Sequence, residues 1–125
     1  MKKIAAAIFL GLFVFVLAAC GSSGQKNSGG SASVPDVAPE MEVIIKASNW
    51  QFDQEVYQIP KDTPVQLTLV NEQGVHGVEI QGLKLELRPG KESAVVQLKE
   101  GEYTLRCSIQ CGAGHARMVA KLVVS

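Results

Sequence analysis

Beyond residue 40 no stretch of about eleven residues repeats its apolar side chains at a helical period. The chain is instead cut by turn residues into short runs rich in β-branched side chains. The runs are Met41–Ala47, Trp50–Ile59, Pro64–Val70, Gly77–Ile80, Leu83–Leu87, Ser93–Leu98, Glu102–Cys107 and Arg117–Val124. Val65-Gln66-Leu67-Thr68-Leu69 alternates apolar and polar, as a half-buried strand must, because successive side chains point to opposite faces. Pro89-Gly90 and Lys99-Glu100-Gly101 end two of the runs. Strands this short and this evenly spaced predict an all-β sandwich or barrel over residues 41–125. No internal repeat is present, and the order of the strands within a sheet does not follow from their spacing.

The first 40 residues obey other rules. Met1-Lys2-Lys3 is a basic start, followed by an unbroken apolar and small-residue run from Ile4 to Ala19. A basic start, a short apolar stretch and small residues before a cut site form a secretory signal. The run is shorter than the roughly 20 residues of a spanning helix, which leaves an uncleaved anchor as the lesser alternative. Leu17-Ala18-Ala19-Cys20 resembles the bacterial lipobox, in which the cysteine is lipidated and becomes the mature N-terminus. Residues 1–19 are therefore expected to be a lipoprotein signal peptide. Cys20 is expected to carry the lipid, and the protein to be exported and held on the outer face of the bacterial cell membrane. From residue 21 to 40 the chain is dominated by Gly and Ser and closed by Pro35 and Pro39. Such a composition predicts a flexible linker with an end-to-end distance of roughly 25 Å.

Charge narrows the partners. Twelve Lys and Arg balance twelve Asp and Glu, and no basic run lies outside the first three residues. Nucleic-acid affinity comes mainly from clustered cations on phosphates, so no nucleic-acid partner is expected. A Gly-rich phosphate loop is also missing from the sequence. Loss of Lys2 and Lys3 with the signal leaves ten basic side chains against twelve acidic ones. That balance excludes polybasic attachment to lipid, so the acyl anchor must supply it.

A domain this small has a modest core, which a bound metal can supplement. Candidate ligands crowd the last third of the chain: Cys107, Cys111, His115 and Met118 fall within twelve residues, on a Gly-containing loop between two expected strands. The other histidine, His76, lies in a Gly74-Val75-His76-Gly77 turn. Three readings compete. A Cys107–Cys111 disulfide suits an oxidising compartment but closes a very short loop and leaves both histidines and Met118 without a role. Zinc held by two Cys and two His leaves Met118 idle. Copper uses soft thiolate and thioether together with imidazole, and His76, Cys111, His115 and Met118 fit a mononuclear site with a weak axial Met. Cys107 is then surplus, unless both sulfurs bridge a second copper. Copper ranks first.

The segment Cys107-Ser108-Ile109-Gln110-Cys111-Gly112, with His115 and Met118 beyond it, closely resembles the binuclear CuA loop of cytochrome c oxidase subunit II. Nitrous oxide reductase carries a similar loop. The resemblance implies a cupredoxin-like Greek-key β-sandwich or barrel binding two copper ions. It also implies Cys107 and Cys111 as bridging thiolates and His76 and His115 as one ligand to each copper. Met118 and the backbone carbonyl of Ile109 are implied as axial ligands. The implied function is electron transfer, from a c-type cytochrome to a haem–copper oxidase, with copper delivery to an oxidase as the alternative. His115, rimmed by Val75, Ala113 and Ala116, is the expected electron port. The family's transmembrane helices are replaced here by the lipoprotein signal. Many members carry a magnesium-directed Glu where Ile109 stands, so no magnesium site is expected. The family's aromatic-rich strand is reduced to Asn49-Trp50-Gln51-Phe52, where Trp50 is either the residue through which electrons arrive or an edge aromatic. No catalysis independent of a larger complex is expected, because no histidine is left to serve a serine as base.

Overall fold

The computed structural model describes residues 36–125; the expected signal peptide, Cys20 and linker residues 21–35 lie outside the described residues. Nine strands follow one another: β1 (Met41–Ser48), β2 (Gln51–Phe52), β3 (Val56–Ile59), β4 (Val65–Asn71), β5 (Val78–Ile80), β6 (Glu86–Leu87), β7 (Ser93–Val96), β8 (Gly101–Arg106) and β9 (Val119–Val124). They form a four-stranded sheet in the order β2-β1-β4-β7 and a five-stranded sheet in the order β3-β9-β8-β5-β6. The chain crosses repeatedly between the two, giving the expected all-β Greek-key sandwich. No α-helix occurs among the described residues; a single 3-10 turn spans His115–Arg117.

Both sheets are mixed. β1 runs parallel to β4, in register from Met41 opposite Val65 to Ala47 opposite Asn71. β3 runs parallel to β9, with Val56 opposite Lys121. The alternation read from the sequence sets the faces: Val65, Leu67 and Leu69 of β4 point into the core, as do Ala120, Leu122 and Val124 of β9. Ile45, Tyr57, Ile80, Leu87, Val96 and Leu105 complete the contact between the sheets.

The expected runs Leu83–Leu87 and Ser93–Leu98 shorten to β6 (Glu86–Leu87) and β7 (Ser93–Val96), and two others are corrected for reasons the structure shows. The run Trp50–Ile59 is not one strand but two, β2 and β3, in different sheets. Asp53 makes the break: its carboxylate accepts from the Lys46 amide at 2.9 Å and from the Tyr57 hydroxyl at 2.6 Å. Those bonds turn the chain from the edge of β1 towards β9. The last strand begins at Val119 rather than Arg117, because Arg117 and Met118 donate their amides to Gly114 and His115 and close the 3-10 turn.

Candidate metal centre

The strand register brings the two ligand-bearing loops together. β5 pairs antiparallel with β8, Glu79 opposite Arg106 and Ile80 opposite Leu105. Extended past the ends of both strands, the pairing sets the His76-Gly77 turn beside Cys107-Ser108, and the Ser108 amide donates to the Gly77 carbonyl at 3.3 Å. Gly77 is required there: an added Cβ would collide with Ser108 Oγ and lie 3.1 Å from the Leu87 carbonyl oxygen.

His76 is fully buried, 0% exposed, which for an imidazole demands satisfied ring nitrogens. Asn71, the last residue of β4, brackets its backbone: the His76 amide donates to Asn71 Oδ1 at 2.9 Å, and Asn71 Nδ2 donates to the His76 carbonyl at 3.1 Å. The ring's Nε2 lies 2.8 Å from the Gln73 carbonyl oxygen. A carbonyl only accepts, so Nε2 carries the proton and the lone pair is on Nδ1. Nδ1 faces Cys107 Sγ at 3.9 Å.

The second loop supplies the rest. Cys107 Sγ and Cys111 Sγ are 3.6 Å apart, and both cysteines are free. His115 Nδ1 lies 3.8 Å from Cys111 Sγ, so each sulfur has its own imidazole. The carbonyl oxygen of Ile109 is 3.2 Å from Cys107 Sγ. One potential ligand atom from each of His76, Cys107 and Cys111 falls within 4.8 Å of the others. Met118 is buried at the end of the loop, its carbonyl accepting from the Cys107 amide at 3.1 Å. Among the described residues, every side chain singled out in the sequence as a ligand is therefore on these two adjoining loops. Trp50 joins them: its Nε1 donates to the Cys111 carbonyl at 3.0 Å. Cys20 lies outside the described residues.

Burial pushes the Cys111 thiol above its usual range, and the neighbouring Cys107 adds to this by hydrogen bond and by charge. Two adjacent sulfurs resist ionising together unless a cation compensates them. Paired soft sulfurs with an imidazole beside each suit copper, and both thiols are free here rather than joined in a disulfide. Sequence reasoning missed Asn71, Gln73 and Gly77. Their work is done by backbone and amide groups with no distinctive chemistry, and only the Gly74-to-Gly77 turn around His76 marked the loop.

Comparisons with known proteins bear on the fold. A search for curated relatives by sequence returned no match. Among solved structures, a chain of a haem–copper terminal oxidase dimer superposes with a TM-score of 0.57 at 27% identity, covering 69% of this chain and 65% of that one. The present chain thus spans about two thirds of that relative's length. The periplasmic domain of subunit II of cytochrome oxidase from Bradyrhizobium japonicum gives a TM-score of 0.62 at 15% identity, covering 74% of this chain and 88% of that one. Auracyanin B gives 0.55 at 22% identity, over 76% and 96% of the two chains. The family model of the cupredoxin-like domain matches residues 8–124. With the two-sheet sandwich and the copper-type donor set at one end of it, this chain belongs to the cupredoxin-like domain family, a copper-binding electron-transfer fold.

Proposed function

We propose that the domain is an electron-transfer module built around a binuclear copper centre of the CuA type. Its ligands are His76, Cys107, Cys111, His115, Met118 and the Ile109 carbonyl. One observation carries this: two free sulfurs 3.6 Å apart, each within 3.9 Å of its own imidazole Nδ1. A mononuclear site of His, His, Cys and Met uses one thiolate and leaves Cys107 or Cys111 without a partner. Held by these residues, copper would supply one-electron redox chemistry.

The chain's own residues keep that chemistry fast. Asn71 and Gln73 hold His76 in one tautomer and one orientation, so little has to move as charge changes. Burial of His76, Cys107 and Met118 excludes water from the inner side of the site. His115 is half-buried, its chain neighbours Ala113 and Ala116 are exposed, and Val75 beside His76 is 59% accessible, so the expected rim is open to solvent. That rim is a port at which a redox partner can dock and exchange an electron.

The likeness to an oxidase subunit supports a haem–copper oxidase as electron acceptor and a c-type cytochrome as donor. The lipobox supports export and a lipid at Cys20 that keeps the domain near such a partner. Stopped-flow reduction by a c-type cytochrome tests this, run with a Cu(I) chelator in the buffer. An electron carrier cycles between redox states and keeps its copper through repeated turnovers. Transfer of copper to the chelator on the first reduction would instead identify a delivery protein.

A further inference from the structure

Trp50 lies in the turn between β1 and β2, 41% exposed and outside the core, so it does not hold the two sheets together. Its indole rests on the ligand loop. Gly114 has φ −94° and ψ 0°, a conformation open to any L-residue, so the backbone does not require glycine there. The neighbour requires it: a Cβ on Gly114 would collide with Cβ and Cγ of Trp50. Gly112, at φ 122°, does need glycine's freedom, and a Cβ on it would lie 3.0 Å from Trp50 Nε1. Between these glycines and Cys111 the indole N–H donates to the Cys111 carbonyl at 3.0 Å. The preceding residue acts on the other loop, since a Cβ on Gly74, two residues before His76, would strike the Asn49 side chain.

We propose that Trp50 is a positioning residue for the metal loop. It is a wedge, seated against Gly114 and bonded to Cys111, that fixes the spacing of Cys111 and His115 from outside the core. This rests on the loop being the copper loop, but the wedge itself acts on the loop with or without metal. Asn49 extends the same turn to the His76 loop, so a single turn registers the two loops against each other.

The test uses the full chain, without metal and loaded with copper, in four forms: Trp50→Phe, Trp50→Gly, Gly114→Ala and the Trp50→Gly/Gly114→Ala pair. In the metal-free protein, hydrogen exchange at the amides of residues 112–117 should quicken roughly fivefold to tenfold in Trp50→Phe, which keeps a ring but loses one hydrogen bond. Amides of β4 and β9 should keep their protection. Gly114→Ala should loosen the loop further and release copper to a chelator faster than the parent. The double variant should be better protected than Gly114→Ala alone, because the collision is gone; such non-additivity marks a direct contact. Unchanged loop exchange in Trp50→Phe and Trp50→Gly would overturn the proposal. So would an equal rise across the whole domain, or purely additive effects in the pair. A parent protein that binds a single copper would sink the binuclear reading while leaving the exchange result to decide the wedge.

Discussion

A histidine offers a metal either ring nitrogen, and at His76 the Gln73 carbonyl makes the choice by accepting from Nε2 at 2.8 Å. Asn71 then fixes where the ring's backbone sits, through two hydrogen bonds on opposite sides of the same residue. Asn71→Ala should lower the stability of the metal-free protein by about 1–3 kcal/mol, because His76 keeps backbone groups that lose their partners. Urea unfolding checks the loss, and faster copper release from the same variant checks its link to the site. At this scale the candidate ligands stood out in the sequence, because Cys, His and Met are few and the softness of sulfur is chemically distinctive. Asn71, Gln73 and Gly114 were not. An asparagine amide, a main-chain carbonyl and a glycine at an ordinary φ acquire their roles only from what the fold sets against them.

Strands were legible wherever one face is buried, as in β4, where Val65, Leu67 and Leu69 alternate with accessible neighbours. The break between β2 and β3 was not, because Asp53-Gln54-Glu55 contains no Gly or Pro to punctuate the run and a tertiary network around Asp53 decides it. Burial pushes the Asp53 carboxyl up, but hydrogen bonds from Tyr57 and from the Lys46 amide outweigh this and hold it below its usual 3.8. A carboxylate lowered on folding contributes stability that is complete above its unfolded value and is lost as pH falls through the lowered one. The Tyr57 hydroxyl is pushed above its usual 10 by burial, then by its bond to Asp53 and that residue's charge. Its contribution is complete below the unfolded value and lost as pH rises through the raised one. Asp53→Asn should therefore flatten the acid limb of a plot of melting temperature against pH, while the parent loses stability below about pH 4. The parallel pairs β1–β4 and β3–β9 were beyond the sequence as well, since pairing partners depend on chain crossings that local periodicity does not encode.

At the scale of the whole molecule, the proposed signal and tether precede a two-sheet sandwich on which the two candidate ligand loops adjoin. The proposed lipid at Cys20 predicts that Cys20→Ser moves the protein from the membrane fraction to the soluble exported fraction, with its copper spectrum intact. Retention of that variant in the membrane would instead point to an apolar anchor between Ile4 and Ala19. The proposed bridged centre rests on the two sulfurs 3.6 Å apart. Copper content together with electron paramagnetic resonance of the full chain, purified in detergent and reconstituted with copper, tests it most directly. A bridged pair would give about two coppers per chain and a hyperfine pattern from one electron shared by two equivalent nuclei. One copper per chain with a mononuclear pattern, or no retained copper and Cys107 oxidised to Cys111, would contradict it.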